Sequence, residues 1–335
     1  MIKPYKDLTL HGQSRRLRVM AIQALKHYDI NVARLSLITN DFNAIYRVDS
    51  TSGEKFILRV TLPEGGHNKE TIEAEVTWLD ALSKETNLSV PQPFPSRNGQ
   101  YALEISTEGV PEPRWCAIFR WMPGVNLADH LNAENVTKLG SLMAHLHNHA
   151  AKFKPDNTHQ VPHFDRVFPF PEPVILFDEA YKDIFPASRK EILLQAIAWA
   201  EHAIKILIES GEPMRIIHAD LHQWNVRIFH EKLSPIDFED LMWGWPVQDI
   251  GTTLFYFLNE TYEEMYQAFK VGYSSVSPWP ERYPGEIESF IAARSVGLVN
   301  FILNDPNPNW RNQIPEFIKK NEIRLQKLLE KRFLD

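Results

Sequence analysis

Four polar residues between positions 215 and 240 have types and a spacing that could do chemistry. They are His218, Asp220 and Asn225 in one short loop, followed by Asp237. β-Branched and aromatic runs on both sides of the loop predict short buried strands, with a third strand before Asp237. We therefore expect two carboxylates and a carboxamide to emerge near one edge. Oxygen ligands of this kind suit Mg²⁺, whose coordination is usually completed by water and substrate phosphates.

The spacing of these residues is similar to a known pattern. HADLHQWN at 218–225 with IDFED at 236–240 resembles the catalytic loop and metal motif of the kinase superfamily, with Ala219 in place of the usual arginine. Within that superfamily it looks like the branch of aminoglycoside phosphotransferases, choline kinases and homoserine kinases. The usual forms in that branch are H-G-D-x-H-x-x-N and I-D-[FW]-[ED]. Trp224 departs from this pattern, because the branch usually has a small residue before the asparagine.

The resemblance implies a role for each residue. Asp220 would orient the acceptor hydroxyl and accept its proton, and His222 would contact the transferred phosphoryl group. Asn225 and Asp237 would hold Mg²⁺ against the phosphates of ATP. Glu239 would point to the same side as Asp237 if the strand persists, and could then hold a second Mg²⁺.

Other interpretations of the loop stay open at this point. His218, Asp220 and His222 could form a transition-metal site, since imidazole and carboxylate suit Zn²⁺ or Fe²⁺. A purely structural polar loop is the plainer alternative, because Asp and Asn are common in turns.

The chain before residue 62 predicts strands that could cover a nucleotide. The residues between the strands at 35–38 and 45–48 lie where the kinase superfamily has its glycine-rich loop, although they include no glycine. Asn and Asp can adopt unusual backbone angles, so Asn40, Phe42 and Asn43 are candidate phosphate contacts.

The strand at 54–60 carries the candidate phosphate-binding cation. Arg59 stands where the resemblance places the nucleotide lysine, and Lys55 is the alternative. In the following helix, at 68–85, the apolar positions lie on one face, and Glu75 falls within that face. Glu75 is thus expected to pair with Arg59.

The expected fold class is α+β, a protein-kinase-like fold with a small antiparallel-sheet lobe and a larger, mainly helical lobe. The predicted domains are 1–119, which binds nucleotide, a hinge at 120–125, and 126–335, with the catalytic loop and acceptor site. The hinge places Arg120, Trp121 and Met122 around the adenine.

Two further polar residues are expected to be structural. His147 lies at the edge of the apolar face of a predicted helix at 133–151. Asp249 opens a second apolar helix and is suited to tying down the catalytic loop.

Composition narrows the function classes. The chain has 335 residues, 44% of them hydrophobic and 24% charged, which predicts a packed fold. The single cysteine indicates a reducing compartment, and no apolar run is long enough for a signal peptide or a membrane span, so we expect a cytoplasmic protein without membrane partners. A net charge of −7 argues against nucleic-acid binding and slightly favours a cationic substrate. The sequence leaves the oligomeric state open.

The function expected from these residues is transfer of the ATP γ-phosphoryl group to a hydroxyl of a small aminoglycoside-, choline- or homoserine-like molecule. The stretch between Asp237 and Asp249 is too short for the activation segment that protein kinases have after the metal motif, and it lacks their A-P-E ending, which favours a small acceptor. The alternatives are a compact bacterial protein serine/threonine kinase, a nucleotide-binding pseudokinase, and a metallohydrolase that uses His218 and His222.

Overall fold

The computed structural model describes residues 3–40, 43–62, 67–154, 161–258, 261–304 and 313–332. These residues group into two compact units. The first comprises Met1–Gly124, Lys154–Val161 and Phe229–Glu239, and the second comprises Val125–Phe153, Pro162–Ile228 and Asp240–Asp335. The domain bounds expected from the sequence remain a prediction. The predicted bounds did not include the return of Phe229–Glu239 to the first unit.

An antiparallel sheet forms the centre of the first unit. Its strand order is β1-β2-β3-β6-β4, and β5 pairs with β6. The elements of this unit are α1 (Leu10–Leu25), β1 (Val32–Asn40), β2 (Ala44–Ser50), β3 (Lys55–Val60), α2 (Lys69–Glu85), β4 (Pro93–Phe94), β5 (Leu103–Ile105), β6 (Arg114–Arg120) and, after the chain returns, β10 (Lys232–Pro235). Alternate residues of β2 are buried, as a strand with one face on a core requires.

Both helices of the first unit bury the faces that their apolar spacing predicts. Leu17, Met20 and Leu25 of α1 join the core formed by the sheet. In α2, a capping box between Asn68 and Thr71 fixes the first turn, and Glu75 lies among the buried residues.

The second unit is mainly helical. Its elements are β7 (Val125–Asn126), α3 (Ala133–Ala150), α4 (Ala187–Ser210), β8 (Arg215–Ile217), β9 (Val226–Phe229), β11 (Met242–Gly244), α5 (Pro246–Phe255), α6 (Tyr262–Ser274), α7 (Glu286–Asn304) and α8 (Ile314–Arg332). Helices α3 and α6 pack at backbone contact. A Cβ atom on Gly272 would lie 1.8 Å from the carbonyl oxygen of Thr137, so a larger residue would force the helices apart.

Two short strand pairs of the second unit hold the loop with the candidate chemistry. β8 pairs antiparallel with β11, and β9 pairs antiparallel with β7. The loop leaves β8 after Ile217 and enters β9 at Val226, as predicted from the two apolar runs. The hydrogen bonds of these strand pairs therefore hold both ends of the loop.

In the part of the chain that the structure describes, no helix combines the length and the apolar content needed to cross a bilayer.

Candidate active site

A buried carboxylate holds the start of the catalytic loop. Asp249, at the start of α5, is fully buried and accepts the backbone N–H of His218 at 3.1 Å and that of Ala219 at 2.9 Å. His147 Nε2 lies 3.0 Å from the same carboxylate, and Nδ1 lies 2.9 Å from the Tyr273 hydroxyl. Burial opposes ionisation of Asp249, yet the hydrogen bond from His147 keeps its pKa below the ordinary value. The structural roles predicted for His147 and Asp249 are confirmed.

The loop turns sharply at Ala219. This residue has φ +63°, in the left-handed region that favours glycine, and its side chain is buried. A glycine is the usual residue at this point of the H-G-D pattern. The backbone therefore keeps the conformation that a glycine would allow, at the cost of strain at an alanine.

The Asp220 carboxylate is fixed by its own loop. Asn225 Nδ2 donates to Asp220 Oδ2 and to the Asp220 backbone oxygen, both at 3.0 Å. His222 Nδ1 accepts from the backbone N–H of Asn225 at 3.2 Å, which puts the ring proton on Nε2, 3.4 Å from Asp220 Oδ2. Burial lowers the pKa of His222. The structure thus brings Asp220, His222 and Asn225 together.

Sequence reasoning missed Arg294, the residue that pairs with Asp220. Arg294 lies on α7 and donates from Nη2 to Asp220 Oδ1 and, at 2.7 Å, to the Tyr256 hydroxyl. Its guanidinium also lies over the Tyr256 ring, 5.6 Å from the centroid. Burial opposes its charge, but Tyr256 and Asp220 together raise the pKa of Arg294 above its ordinary value. A lone arginine within an otherwise apolar helix, FIAARSVGLV, was the only available signal.

An aromatic corner stands beside the loop. The rings of His222, Trp224 and Tyr256 contact one another edge-on, with centroids 4.6 to 5.8 Å apart. Trp224 is half exposed, at 50% of its surface. A large exposed ring so close to Asp220 is available to a ligand.

The predicted pair of Arg59 and Glu75 is confirmed in the first unit. Both are buried, Arg59 Nη1 donates to Glu75 Oε1 at 3.2 Å, and Nη2 bonds the other oxygen. Burial opposes the charge of Arg59, yet Glu75 and Glu239 raise its pKa above the ordinary value. Lys55, the alternative, is exposed.

Glu239 joins the same network, a contact that the sequence did not predict, and its predicted role as a metal ligand stays a prediction. β10 ends at Pro235 and Asp237 has φ +67°, so the strand does not persist and the alternation argument is wrong. Glu239 Oε2 instead lies 3.3 Å from Arg59 Nη1, and Asn43 Nδ2 donates to both of its oxygens at 2.7 and 2.8 Å. Asn43 also accepts the backbone N–H of Leu62 at 3.1 Å. Asn43 of the candidate phosphate loop and Glu239 of the metal motif thereby belong to one network with the Arg59 guanidinium.

Three other residues predicted to contact the nucleotide, Asn40, Arg120 and Trp121, form hydrogen bonds within the first unit. Asn40 donates to Ser14 Oγ at 3.0 Å, and Phe42 lies outside the described residues. In the predicted hinge, the backbone N–H groups of Arg120 and Trp121 donate to the carbonyl oxygens of Gln92 and Lys55, at 2.8 and 3.0 Å. These two amides are therefore already used within the first unit.

Each unit carries oxygen donors of the kind that a hard cation prefers. In the second unit, Asn225 uses only Nδ2 in its contacts with Asp220, so its amide oxygen can serve as a ligand. In the first unit, Asp237 and Glu239 carry carboxylates. Among the residues described, no three His, Cys, Asp or Glu side chains are grouped so that they could hold a metal ion. His218, Asp220 and His222 are thus not supported as a zinc or iron site.

Comparison with known proteins identifies the family of this chain. The model of the phosphotransferase enzyme family, APH, matches residues 35–284. The chain belongs to this family. The prediction of a kinase, a phosphotransferase with an alcohol group as acceptor, is thereby confirmed.

Relatives of this APH family chain have the same fold. Amicoumacin kinase of Bacillus subtilis is 22% identical over 312 residues, which are 93% of this chain and 84% of that protein. The structure of a microcompartment-associated aminopropanol kinase has a TM-score of 0.76 at 23% identity and covers 94% of this chain and 98% of its own. Amicoumacin kinase hAmiN, in complex with AMP-PNP, Ca²⁺ and Ami, has a TM-score of 0.71 at 18% identity over 94% and 96% of the two chains. The predicted protein-kinase-like α+β fold is confirmed.

Proposed function

We propose that this APH family member transfers the γ-phosphoryl group of ATP to a hydroxyl of a small molecule, with Asp220 as the base. The observation that carries the proposal is the state of the Asp220 carboxylate. Asn225 and Arg294 hold its two oxygens from opposite sides, at the end of a loop clamped by Asp249. Such fixation is what positioning catalysis requires of a group that orients a nucleophile.

In the proposed step, the acceptor oxygen attacks the γ-phosphorus while the bond from phosphorus to the β,γ-bridging oxygen breaks. ADP leaves with that electron pair, and the hydroxyl proton passes to Asp220. His222 keeps its Nε2 proton directed at Asp220 Oδ2, so it can donate a hydrogen bond to a transferring oxygen when displaced from that contact. The depressed pKa keeps the His222 ring neutral near pH 7.

The proposed nucleotide contacts keep the roles that the resemblance implies. Arg59, held by Glu75, is proposed to bind phosphate, and Asn225, Asp237 and Glu239 are proposed to bind Mg²⁺, which would neutralise charge on the phosphates. The expected ATP and Mg²⁺ agree with the nucleotide analogue and divalent ion named for hAmiN. Because the Arg120 and Trp121 amides are already bonded, we expect the Met122 amide to contact the adenine.

The acceptor is the finer part of the proposal. The exposed face of Trp224, supported by Tyr256, offers a flat apolar wall against which a ring or an alkyl chain could pack. The slight preference for a cationic acceptor rests on net charge alone. Structures of similar fold include an aminopropanol kinase, an amicoumacin kinase and a spectinomycin phosphotransferase, which puts aminopropanol, amicoumacin and spectinomycin first among candidate acceptors.

The test is Mg²⁺-dependent release of ADP from ATP. The panel contains those three compounds with choline, homoserine, hydroxylated sugars and a generic protein substrate. Asp220→Asn should lower transfer at least a hundredfold while Mg-ATP binding stays within about twofold, because the base is lost while Arg59, Asp237 and Glu239 are unchanged. Asp80→Asn, which changes a half-exposed carboxylate that pairs with Lys84 among the described residues, is the matched control and should have full activity.

Two results separate this proposal from the alternatives. Normal turnover by Asp220→Asn would refute the base assignment. Transfer to the protein substrate alone would indicate the compact protein kinase, and Mg-ATP binding without transfer to any compound would indicate the pseudokinase.

A further inference from the structure

Arg294 is a costly residue to place where it is. Its side chain is only 15% exposed on an apolar helix, and an arginine keeps its charge at any physiological pH. A buried charge is tolerated when partners compensate its lost hydration. The partners of Arg294 therefore indicate why the cation is there.

Those partners all belong to the candidate site. Nη2 donates to Asp220 and to the Tyr256 hydroxyl, while the buried Nε has no acceptor among the described residues. The guanidinium is thus oriented so that one nitrogen, Nη2, serves both the base and the Tyr256 hydroxyl.

The contact with Asp220 completes a two-sided restraint. Asn225 holds Oδ2 from the loop itself, at 3.0 Å, and Arg294 holds Oδ1 from a helix 74 residues further along the chain. A carboxylate held at one oxygen can still rotate about its side-chain bonds, whereas one held at both cannot. Oδ1 accepts only from Arg294 among these contacts and retains a lone pair, so an acceptor hydroxyl can still bond to it.

We propose that Arg294 is the positioning residue of the base: it fixes the orientation of the Asp220 carboxylate toward the acceptor hydroxyl, with Tyr256 holding Arg294 in place. The inference rests on the proposed role of Asp220. It assigns no contact with the nucleotide. Arg294 acts on the rate through Asp220.

The test combines single and double variants. Arg294→Met removes the charge and the hydrogen bonds at similar length, and should lower kcat about ten- to a hundredfold, as expected for a reacting group that is misplaced by an ångström or less. The KM for ATP should change less than about twofold. Arg294→Lys keeps one charged donor group and should recover part of the loss, and Tyr256→Phe should lower kcat less than Arg294→Met. The assay uses the acceptor with the highest turnover in the panel, or water as acceptor if no compound is turned over.

The deciding measurement is the double variant with Asp220→Asn. If Arg294 acts through Asp220, Arg294→Met should reduce the residual rate of Asp220→Asn by less than about twofold. Arg189→Met, which breaks another arginine pair of the second unit, with Glu322, is the matched control for loss of stability. Its kcat should stay unchanged at a temperature well below its Tm.

Three results would overturn the inference. They are an unchanged kcat in Arg294→Met, multiplicative losses in the double variant, and a loss of kcat that Arg189→Met reproduces. A fully active Asp220→Asn enzyme would refute the proposed function itself. Loss in Asp220→Asn with a normal Arg294→Met enzyme would refute only the positioning role.

Discussion

Asp249→Asn is the change that most directly tests how the fold holds the catalytic loop. The carboxylate is fully buried and has three hydrogen-bond partners within 3.1 Å, namely His218 N, Ala219 N and His147 Nε2. An asparagine of the same shape offers one acceptor oxygen and turns an NH₂ group toward the other donors. At least one buried donor is then left unsatisfied, and the remaining bonds lose the charge of the acceptor.

The expected cost follows from these contacts. A buried donor without a partner costs about 1–3 kcal/mol, and hydrogen bonds to a charged group contribute about 1.5–3 kcal/mol, so a total of about 3 kcal/mol is expected. With an unfolding entropy of about 2 cal/mol/K per residue, that corresponds to a fall in Tm of about 4 °C for a chain of this size. Because the lost contacts hold the start of the loop with Asp220, kcat should fall together with stability, even well below Tm.

The assay is thermal unfolding followed by circular dichroism. Asp80→Asn is the control, because it changes a half-exposed carboxylate that pairs with Lys84 among the described residues. The pH dependence gives a second check. The pKa of Asp249 is lowered in the folded protein, so its contribution is present above the unfolded carboxyl pKa of about 3.9 and is lost as pH falls through the lower folded value. The wild type and the variant should therefore differ fully at pH 7 and converge in strong acid. A variant with a Tm within about 1 °C of wild type at pH 7 would refute the reasoning.

Three further predictions concern the loop and the two units. Ala219→Gly relieves a left-handed backbone and should leave stability unchanged or raise it by up to about 1 kcal/mol, whereas Ala219→Val should cost more than about 2 kcal/mol; equal melting temperatures for both would contradict the strain argument. Trp224→Ala removes the exposed ring beside Tyr256 and should raise the KM for the acceptor about tenfold, with little change in kcat or in the KM for ATP. An unaltered acceptor KM in steady-state kinetics would show that the acceptor does not pack against Trp224. His67 should titrate with a pKa of about 4 in an NMR experiment, because burial and the charge of Arg59 both disfavour the imidazolium. The stability that neutral His67 contributes is then present above about pH 6.5 and is lost as pH falls toward 4. A measured pKa near 6.5 would contradict this.

Much of the site follows from local sequence. The loop between two short strands could be predicted because β-branched runs and the polar residues between them are contiguous, and the spacing of Asp220, Asn225 and Asp237 restricts the chemistry to a few kinds. The inward direction of Glu75 follows from the 100° step of a helix, and Arg59 is the strand cation at the expected distance. Periodicities of this kind report on residues a few positions apart.

Tertiary structure decided what local patterns cannot report. Arg294 reaches Asp220 across 74 positions, and Asn43 reaches Glu239 across 196, so neither pair has a period that links its members. The strand that would have pointed Glu239 to the same side as Asp237 does not persist, because the backbone at Asp237 is left-handed, and the contact of Glu239 with Arg59 was not predicted. Packing of whole helices and strands determines which distant side chains meet, and for this protein it determines what holds Asp220.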